Sequence, residues 1–131
     1  MPRMPTAHHA WTEPAWDRTG ALARIQDEAL FRLVCETFHG DAPRLVARVR
    51  EALDAGRPGD AVVSAHALKA AAANVGAEQC RALAADMERL ARSGDGALVR
   101  GLLPLFDEAF RRFQDALAAA GWSVAGTGRP A

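Results

Sequence analysis

The chain has 131 residues, with 16 basic and 16 acidic side chains that cancel at pH 7, and this length suits one domain. The balanced charge excludes the broad basic surface typical of nucleic-acid-binding proteins, no stretch approaches the roughly 20 apolar residues of a transmembrane helix, and two cysteines are too few for a disulfide framework. Because residues 1–9 are polar and contain proline, they do not resemble a secretory signal peptide, and we expect a cytoplasmic protein.

The N-terminal residues predict an irregular lead segment. Residues 1–19 contain three prolines and no helical periodicity. His8 and His9 lie in this segment, and two histidines without further ligands are weak evidence for a metal site. We therefore expect them to be part of an exposed tail, and we expect no metal site in the chain.

The following residues predict helices, in keeping with alanine being the most abundant residue and the best helix former. A short helix is predicted over 21–25. Two longer helices are predicted over 27–39 and 41–55, separated by Gly40, with Pro43 in the first turn of the second one, where proline is tolerated. A glycine- and proline-rich break then follows.

The second half of the chain predicts three more helices, over 60–74, 77–92 and 97–120, each with apolar residues at three- and four-residue spacing. The connections are short, which makes consecutive helices antiparallel. The sequence therefore predicts an all-α fold, an antiparallel four-helix bundle over 20–120 with a short extra N-terminal helix. Residues 121–131 are expected to be a flexible tail.

No catalytic motif of a known enzyme class is present. The chain has no zinc-ligand spacing, no glycine-rich phosphate loop and no nucleophile elbow. Cys35 and Cys80 both fall on apolar stripes, which indicates core packing. We therefore expect a protein without its own catalytic site.

The helix over 60–74 carries the one arrangement that departs from the bundle pattern. Its core face holds small and aliphatic residues, Ala61, Ala65, Leu68, Ala72 and Val75. The opposite face carries His66 and Lys69 among Val62, Ala70 and Ala73. Because this face lacks bulky side chains and most charge, it suits a partner that must approach the imidazole closely.

This histidine and lysine suit phosphoryl exchange. A neutral imidazole is a nucleophile near pH 7, and a lysine at i+3 lies on the same face and neutralises a phosphate as a point charge. Lys69 is also the only lysine in the chain. The alternative is an exposed histidine beside an exposed lysine on an alanine-rich helix, without function.

The segment from Ala65 to Gly76, AHALKAAAANVG, resembles the signature of histidine-containing phosphotransfer (HPt) domains of multistep two-component phosphorelays. That signature has a histidine, any residue, an aliphatic residue, a lysine, a small residue that is usually glycine, two further small residues, two variable ones, an aliphatic residue and a glycine. Residues 16–38 and 83–95 extend the similarity, which covers about 17–120.

The resemblance implies roles for individual residues. His66 would accept the phosphoryl group through Nε2, Lys69 would steady the phosphate, and Gly76 would close the helix. The sequence departs from the signature at Ala70, where the family usually has glycine. One added methyl group is the smallest intrusion beside the imidazole, so we expect it to be tolerated.

The next helix also contributes candidates. Glu88 and Arg92 share one side of the helix over 77–92, so Glu88 would hold the histidine ring and Arg92 would contact a partner. Together with Val62, Ala70 and Ala73 they form the expected partner-docking set. The alternative for Glu88 and Arg92 is an ordinary solvated polar face.

The resemblance implies a phosphocarrier whose partners are response-regulator receiver domains and a hybrid sensor histidine kinase. The receiver would bring the Mg²⁺, so no cofactor is expected on this chain. The alternative function is a docking module of the same fold that regulates receivers or kinases without phosphoryl transfer. We expect a monomer, either free-standing or cut from a hybrid kinase.

Overall fold

The computed structural model describes residues 8–122, and every regular element in that range is a helix or a 3-10 turn. In chain order these elements are a 3-10 turn (His9–Thr12), α1 (Arg18–Ile25), α2 (Glu28–Asp54), a second 3-10 turn (Pro58–Ala61), α3 (Val62–Val75), α4 (Glu78–Arg92) and α5 (Gly96–Ala119). α3 packs against both α2 and α4, and α4 also packs against α5. The short connections make neighbouring long helices antiparallel. The predicted all-α bundle is confirmed.

The predicted break at Gly40 is wrong, because α2 runs without interruption through Gly40 and Pro43. In a helix interior a proline costs about 3 kcal/mol and a glycine about 1 kcal/mol. The apolar stripe stays in register across the expected break, with buried side chains at Phe38, Ala42 and Val46. Burying a large apolar side chain contributes about 1.5–3 kcal/mol, so packing against the bundle outweighs the local penalties.

The predicted start of the third long helix is also displaced. Asp60 lies in the 3-10 turn Pro58–Ala61, and α3 begins at Val62, whose N-cap position is held by Ala61 without a side-chain hydrogen bond. The preceding turn leads directly into α3, so Asp60 is not its N-cap residue. The C-terminal end of α3 is set by Gly76, which adopts the left-handed conformation with φ 80° that glycine takes without steric cost.

The lead segment is packed on the bundle. Ala10 is fully buried, the Trp16 indole Nε1–H donates to the Val75 carbonyl at 2.9 Å, and the Asp17 amide donates to the Gly76 carbonyl at 2.7 Å. The expectation of an exposed histidine tail is wrong for His8, whose side chain is largely buried. His9 is exposed as expected, although both imidazoles contact the Asp86 carboxylate on α4. These contacts join residues far apart in sequence, which local periodicity does not predict.

The C-terminal side of the predicted bundle extends slightly further than expected. Trp122 is buried against the core, where its ring meets those of Trp16 and Phe31 edge-on. The rest of the predicted tail, 123–131, lies outside the described residues. No helix within 8–122 combines the length and the apolar character needed to cross a membrane.

Both cysteines belong to the core. Cys35 and Cys80 are buried and unpaired, and burial raises the pKa of each thiol to about 12. The thiolate is the reactive form of cysteine, so neither side chain is chemically available at neutral pH.

Candidate functional site

The two faces of α3 have opposite environments. Ala65, Leu68 and Ala72 are fully buried between the neighbouring helices, whereas 61% of the His66 side chain is exposed. α3 therefore presents the imidazole at the surface from a helix whose other face is fixed in the core.

A buried carboxylate from α4 lies beneath the imidazole. Glu88 Oε2 is 3.1 Å from His66 Nδ1, and Glu88 Oε1 is 2.7 Å from Lys69 Nζ. Arg92, one turn further along α4, donates to Oε2 at 3.0 Å. One side chain on α4 thus contacts both residues of the histidine–lysine pair on α3.

Glu88 is ionised at neutral pH. The hydrogen bond with Lys69, assisted by those with Arg92 and His66, holds the pKa of the Glu88 carboxyl at about 2, although burial acts in the opposite direction. A buried charge is costly unless it is paired, and here two cations satisfy it.

The ionised carboxylate determines which imidazole nitrogen carries the proton. A carboxylate only accepts hydrogen bonds, so His66 Nδ1 is the donor. In a neutral ring the lone pair is then on Nε2, and no residue within 8–122 hydrogen-bonds to that atom. The arrangement leaves a nucleophilic nitrogen free at the surface and a donor nitrogen anchored in the bundle.

The remaining predicted site residues differ in how far they are buried. Ala70 is exposed, whereas Val62 and Ala73 are half-buried, and the Ala73 carbonyl accepts a hydrogen bond from Arg24. Glu88 faces His66 and Lys69 from within the bundle and adds little exposed docking surface. Arg92 is largely exposed, as a partner-contacting residue must be.

Two residues near the site were not among those predicted from the sequence. Val63 lies one turn before His66 on α3, and 78% of its surface is exposed. Its i−3 spacing from the histidine was a usable signal. Arg89 joins Lys69 and Arg92 in lining an open crevice beside Glu88. Three cations therefore line the crevice beside Glu88.

Comparison with protein families identifies the chain. The family model described as Hpt domain matches residues 33–120, which run from the second turn of α2 to the end of α5 and include the whole site. Comparisons with curated proteins and with solved structures each found no match. Hpt domains are phosphocarriers without their own catalytic site, and they interact with receiver domains and kinases in phosphorelays. The chain therefore belongs to the Hpt domain family, which implies a phosphotransfer role in two-component signalling.

Proposed function

We propose that this protein is a phosphorelay intermediate in which His66 accepts a phosphoryl group from a receiver-domain aspartate and passes it to the aspartate of a second receiver. The observation that carries the proposal is the contact of one buried carboxylate, Glu88, with both His66 Nδ1 and Lys69 Nζ. This contact orients the ring, assigns its proton and holds a cation next to it.

The transfer step needs no proton removal by this chain. The Nε2 lone pair attacks phosphorus, the bond between phosphorus and the donor aspartate oxygen breaks, and that oxygen keeps the electron pair. The Nδ1 proton stays on the ring, which becomes positively charged, and the Glu88 carboxylate stabilises that charge at 3.1 Å. In the second transfer an aspartate oxygen attacks phosphorus, and the electron pair of the N–P bond returns to Nε2.

Phosphoryl transfer depends mainly on positioning and on neutralisation of the phosphate oxygens. Lys69 is 35% exposed, so its flexible stem allows the ammonium to turn from Glu88 toward a phosphate on Nε2. Arg92 keeps a cation on Glu88 when Lys69 turns away. The Mg²⁺ that such transfers use belongs, in this proposal, to the receiver.

The surface around His66 suits close approach by a folded partner. Exposed Val63 and Ala70 flank the imidazole and carry no charge. The partners that we propose are receiver domains of response regulators and of a hybrid sensor kinase, and transfer is reversible. The protein acts as a monomer in this proposal.

The same surface supports a second candidate, a docking module that binds receivers or kinases without phosphoryl transfer. The exposed Val63 favours it, since an apolar contact patch serves binding whether or not the histidine reacts. The two candidates differ in their dependence on the His66 imidazole.

The test is incubation of the purified chain with phosphoramidate, a small donor that releases ammonia as the phosphoryl group leaves, followed by intact-mass measurement. We expect one phosphoryl group on wild type, lost in acid, and none on His66→Gln. His39→Gln is the matched control, because His39 is a half-buried imidazole bonded to Gln114. A folded wild type that gains no mass, with receiver binding unchanged in His66→Gln, would replace the phosphocarrier with the docking module.

A further inference from the structure

A second cluster of ionisable side chains lies away from His66. His8 Nε2 is 2.9 Å and His9 Nε2 is 2.7 Å from the same oxygen, Asp86 Oδ2. The two imidazole rings are stacked, with centroids 4.4 Å apart. Three donor atoms from the lead segment and α4 thus converge on one point.

The donor set is one that proteins use for transition metals. Two imidazole nitrogens and a carboxylate oxygen suit Zn²⁺ and its neighbours, at bond lengths of about 2.0–2.2 Å. Around a tetrahedral ion such bonds place the ligand atoms about 3.4 Å apart. The two N–O contacts, at 2.9 and 2.7 Å, would lengthen by about 0.5 and 0.7 Å to admit an ion. All three ligand atoms lie within 4.8 Å of one another.

The cluster is anchored on one side and open on the other. The side chains of His8 and Asp86 are 13% and 18% exposed, whereas that of His9 is 63% exposed. Two ligands are therefore held in place, and the third leaves a path for an ion to enter. Three protein ligands would leave a fourth coordination position for water.

One existing hydrogen bond, at His8, opposes the binding of a metal ion. His8 Nδ1 accepts from the Ala10 amide at 2.9 Å, so without metal the ring proton is on Nε2 and is donated to Asp86. Coordination through Nε2 moves this proton to Nδ1, and the Ala10 amide loses its acceptor. Nδ1–H and the Ala10 N–H are then two donors without an acceptor in this contact, which lowers the affinity and makes the Ala10 amide a reporter of binding.

We propose that His8, His9 and Asp86 form a binding site for a divalent transition-metal ion that ties the lead segment to α4. This site is independent of the phosphocarrier proposal, because none of its ligands contacts His66 or Glu88. An ion here cross-links residues 77 and 78 positions apart, and it would stabilise the folded chain by binding the native state alone.

The test is calorimetric titration of the whole chain with Zn²⁺, all variants being made in the His66→Gln background so that the exposed imidazole of α3 does not compete. We expect one site of about micromolar affinity, weakened at least tenfold by His9→Ala and by Asp86→Asn. His39→Gln is the control and should bind as the parent does. The Ala10 amide should shift on NMR titration.

Equal binding by the parent, His9→Ala and Asp86→Asn would overturn the proposal, as would the absence of saturable binding. Thermal unfolding of each variant without metal distinguishes a metal site from a cluster that only forms hydrogen bonds. If the substitutions lower Tm but the parent binds no Zn²⁺, the cluster is a hydrogen-bonded clasp only and the metal site is rejected.

Discussion

Lys69 Nζ lies 2.7 Å from Glu88 Oε1, in an ion pair that joins α3 to α4 directly below the exposed imidazole. The same carboxylate accepts from His66 Nδ1, so the lysine and the histidine share one anchor. The phosphate-neutralising cation of the proposal is therefore already paired before any phosphate arrives. The consequences can be measured at Glu88, at the C-terminal end of α3 and at Ala70.

Replacing the shared anchor should slow phosphorylation of His66. Glu88→Gln retains an oxygen that accepts from Nδ1–H but removes the charge that stabilises the developing imidazolium. Hydrogen bonds to charged groups contribute about 1 kcal/mol more than neutral ones, so we expect a roughly five- to tenfold slower reaction with phosphoramidate, followed by intact mass over time. Glu108→Gln, which alters a half-buried carboxylate on α5 paired with Arg111 and Arg112, should react at the wild-type rate. An unchanged rate in Glu88→Gln would show that the carboxylate is only structural.

The stability contributed by Glu88 should depend on pH in the acid range. Its folded-state pKa, held at about 2 chiefly by Lys69, lies below the ordinary value of 4.5. A depressed carboxyl pKa stabilises the fold fully above the unfolded pKa, and this stabilisation is lost as pH falls toward the folded pKa. The difference in Tm between wild type and Glu88→Gln should therefore be constant above about pH 5.5 and shrink between about pH 4.5 and 2. A difference that stays constant down to pH 2.5 would contradict this assignment.

The end of α3 should tolerate no side chain at Gly76. Its φ is 80°, and a Cβ there would lie 2.5 Å from the Asp17 carbonyl oxygen. Left-handed backbone alone costs a non-glycine residue about 1–2 kcal/mol. Gly94 is the matched control, because it has φ 79° and open space where a Cβ would lie. We expect Gly94→Ala to lower the free energy of unfolding by about 1–2 kcal/mol and Gly76→Ala by about 3 kcal/mol or more, measured by urea denaturation.

Equal losses in the two alanine variants would mean that the contact between α1 and the end of α3 adds nothing beyond backbone strain. The comparison bears on the site, because the Gly76 carbonyl also accepts from the Asp17 amide at 2.7 Å and this junction holds α1 against the helix that presents His66.

The departure from the family signature at Ala70 should have little effect on the chemistry. Ala70 is exposed on α3, so its methyl group does not crowd the imidazole against a neighbouring helix. We expect Ala70→Gly to react with phosphoramidate within twofold of wild type, while losing about 1 kcal/mol of stability because glycine weakens a helix interior. Ala47→Gly, at an exposed position of α2, should show the same loss of stability. A rate several-fold above wild type would show that the methyl group obstructs the nucleophile.

Periodicity was sufficient to predict the class of fold and the exposed histidine, because the core face of α3 is a regular repeat of small and aliphatic residues. It failed at Gly40 and Pro43, where local penalties suggested a helix end. The apolar stripe that continues through Phe38, Ala42 and Val46 was visible in the sequence. Whether burying it stabilises the helix by more than the proline costs depends on tertiary packing.

Contacts between distant segments could not be predicted in the same way. Glu88 was placed on the correct helix, but its distances to His66 and Lys69 follow from how α3 and α4 pack. The meeting of His8 and His9 with Asp86 joins residues separated by most of the chain. No local pattern encodes such a contact, which explains why the packing of His8 against α4 was not predicted.

The most direct test of the central claim is NMR of the His66 ring with ¹⁵N-labelled protein before and after treatment with phosphoramidate. The account predicts a proton on Nδ1 in the free protein and phosphorus coupled to Nε2, with Nδ1 still protonated, in the product. Phosphorus on Nδ1, or a His66 ring unchanged in a protein that has gained a phosphoryl group, would contradict the assignment of Nε2 as the accepting atom.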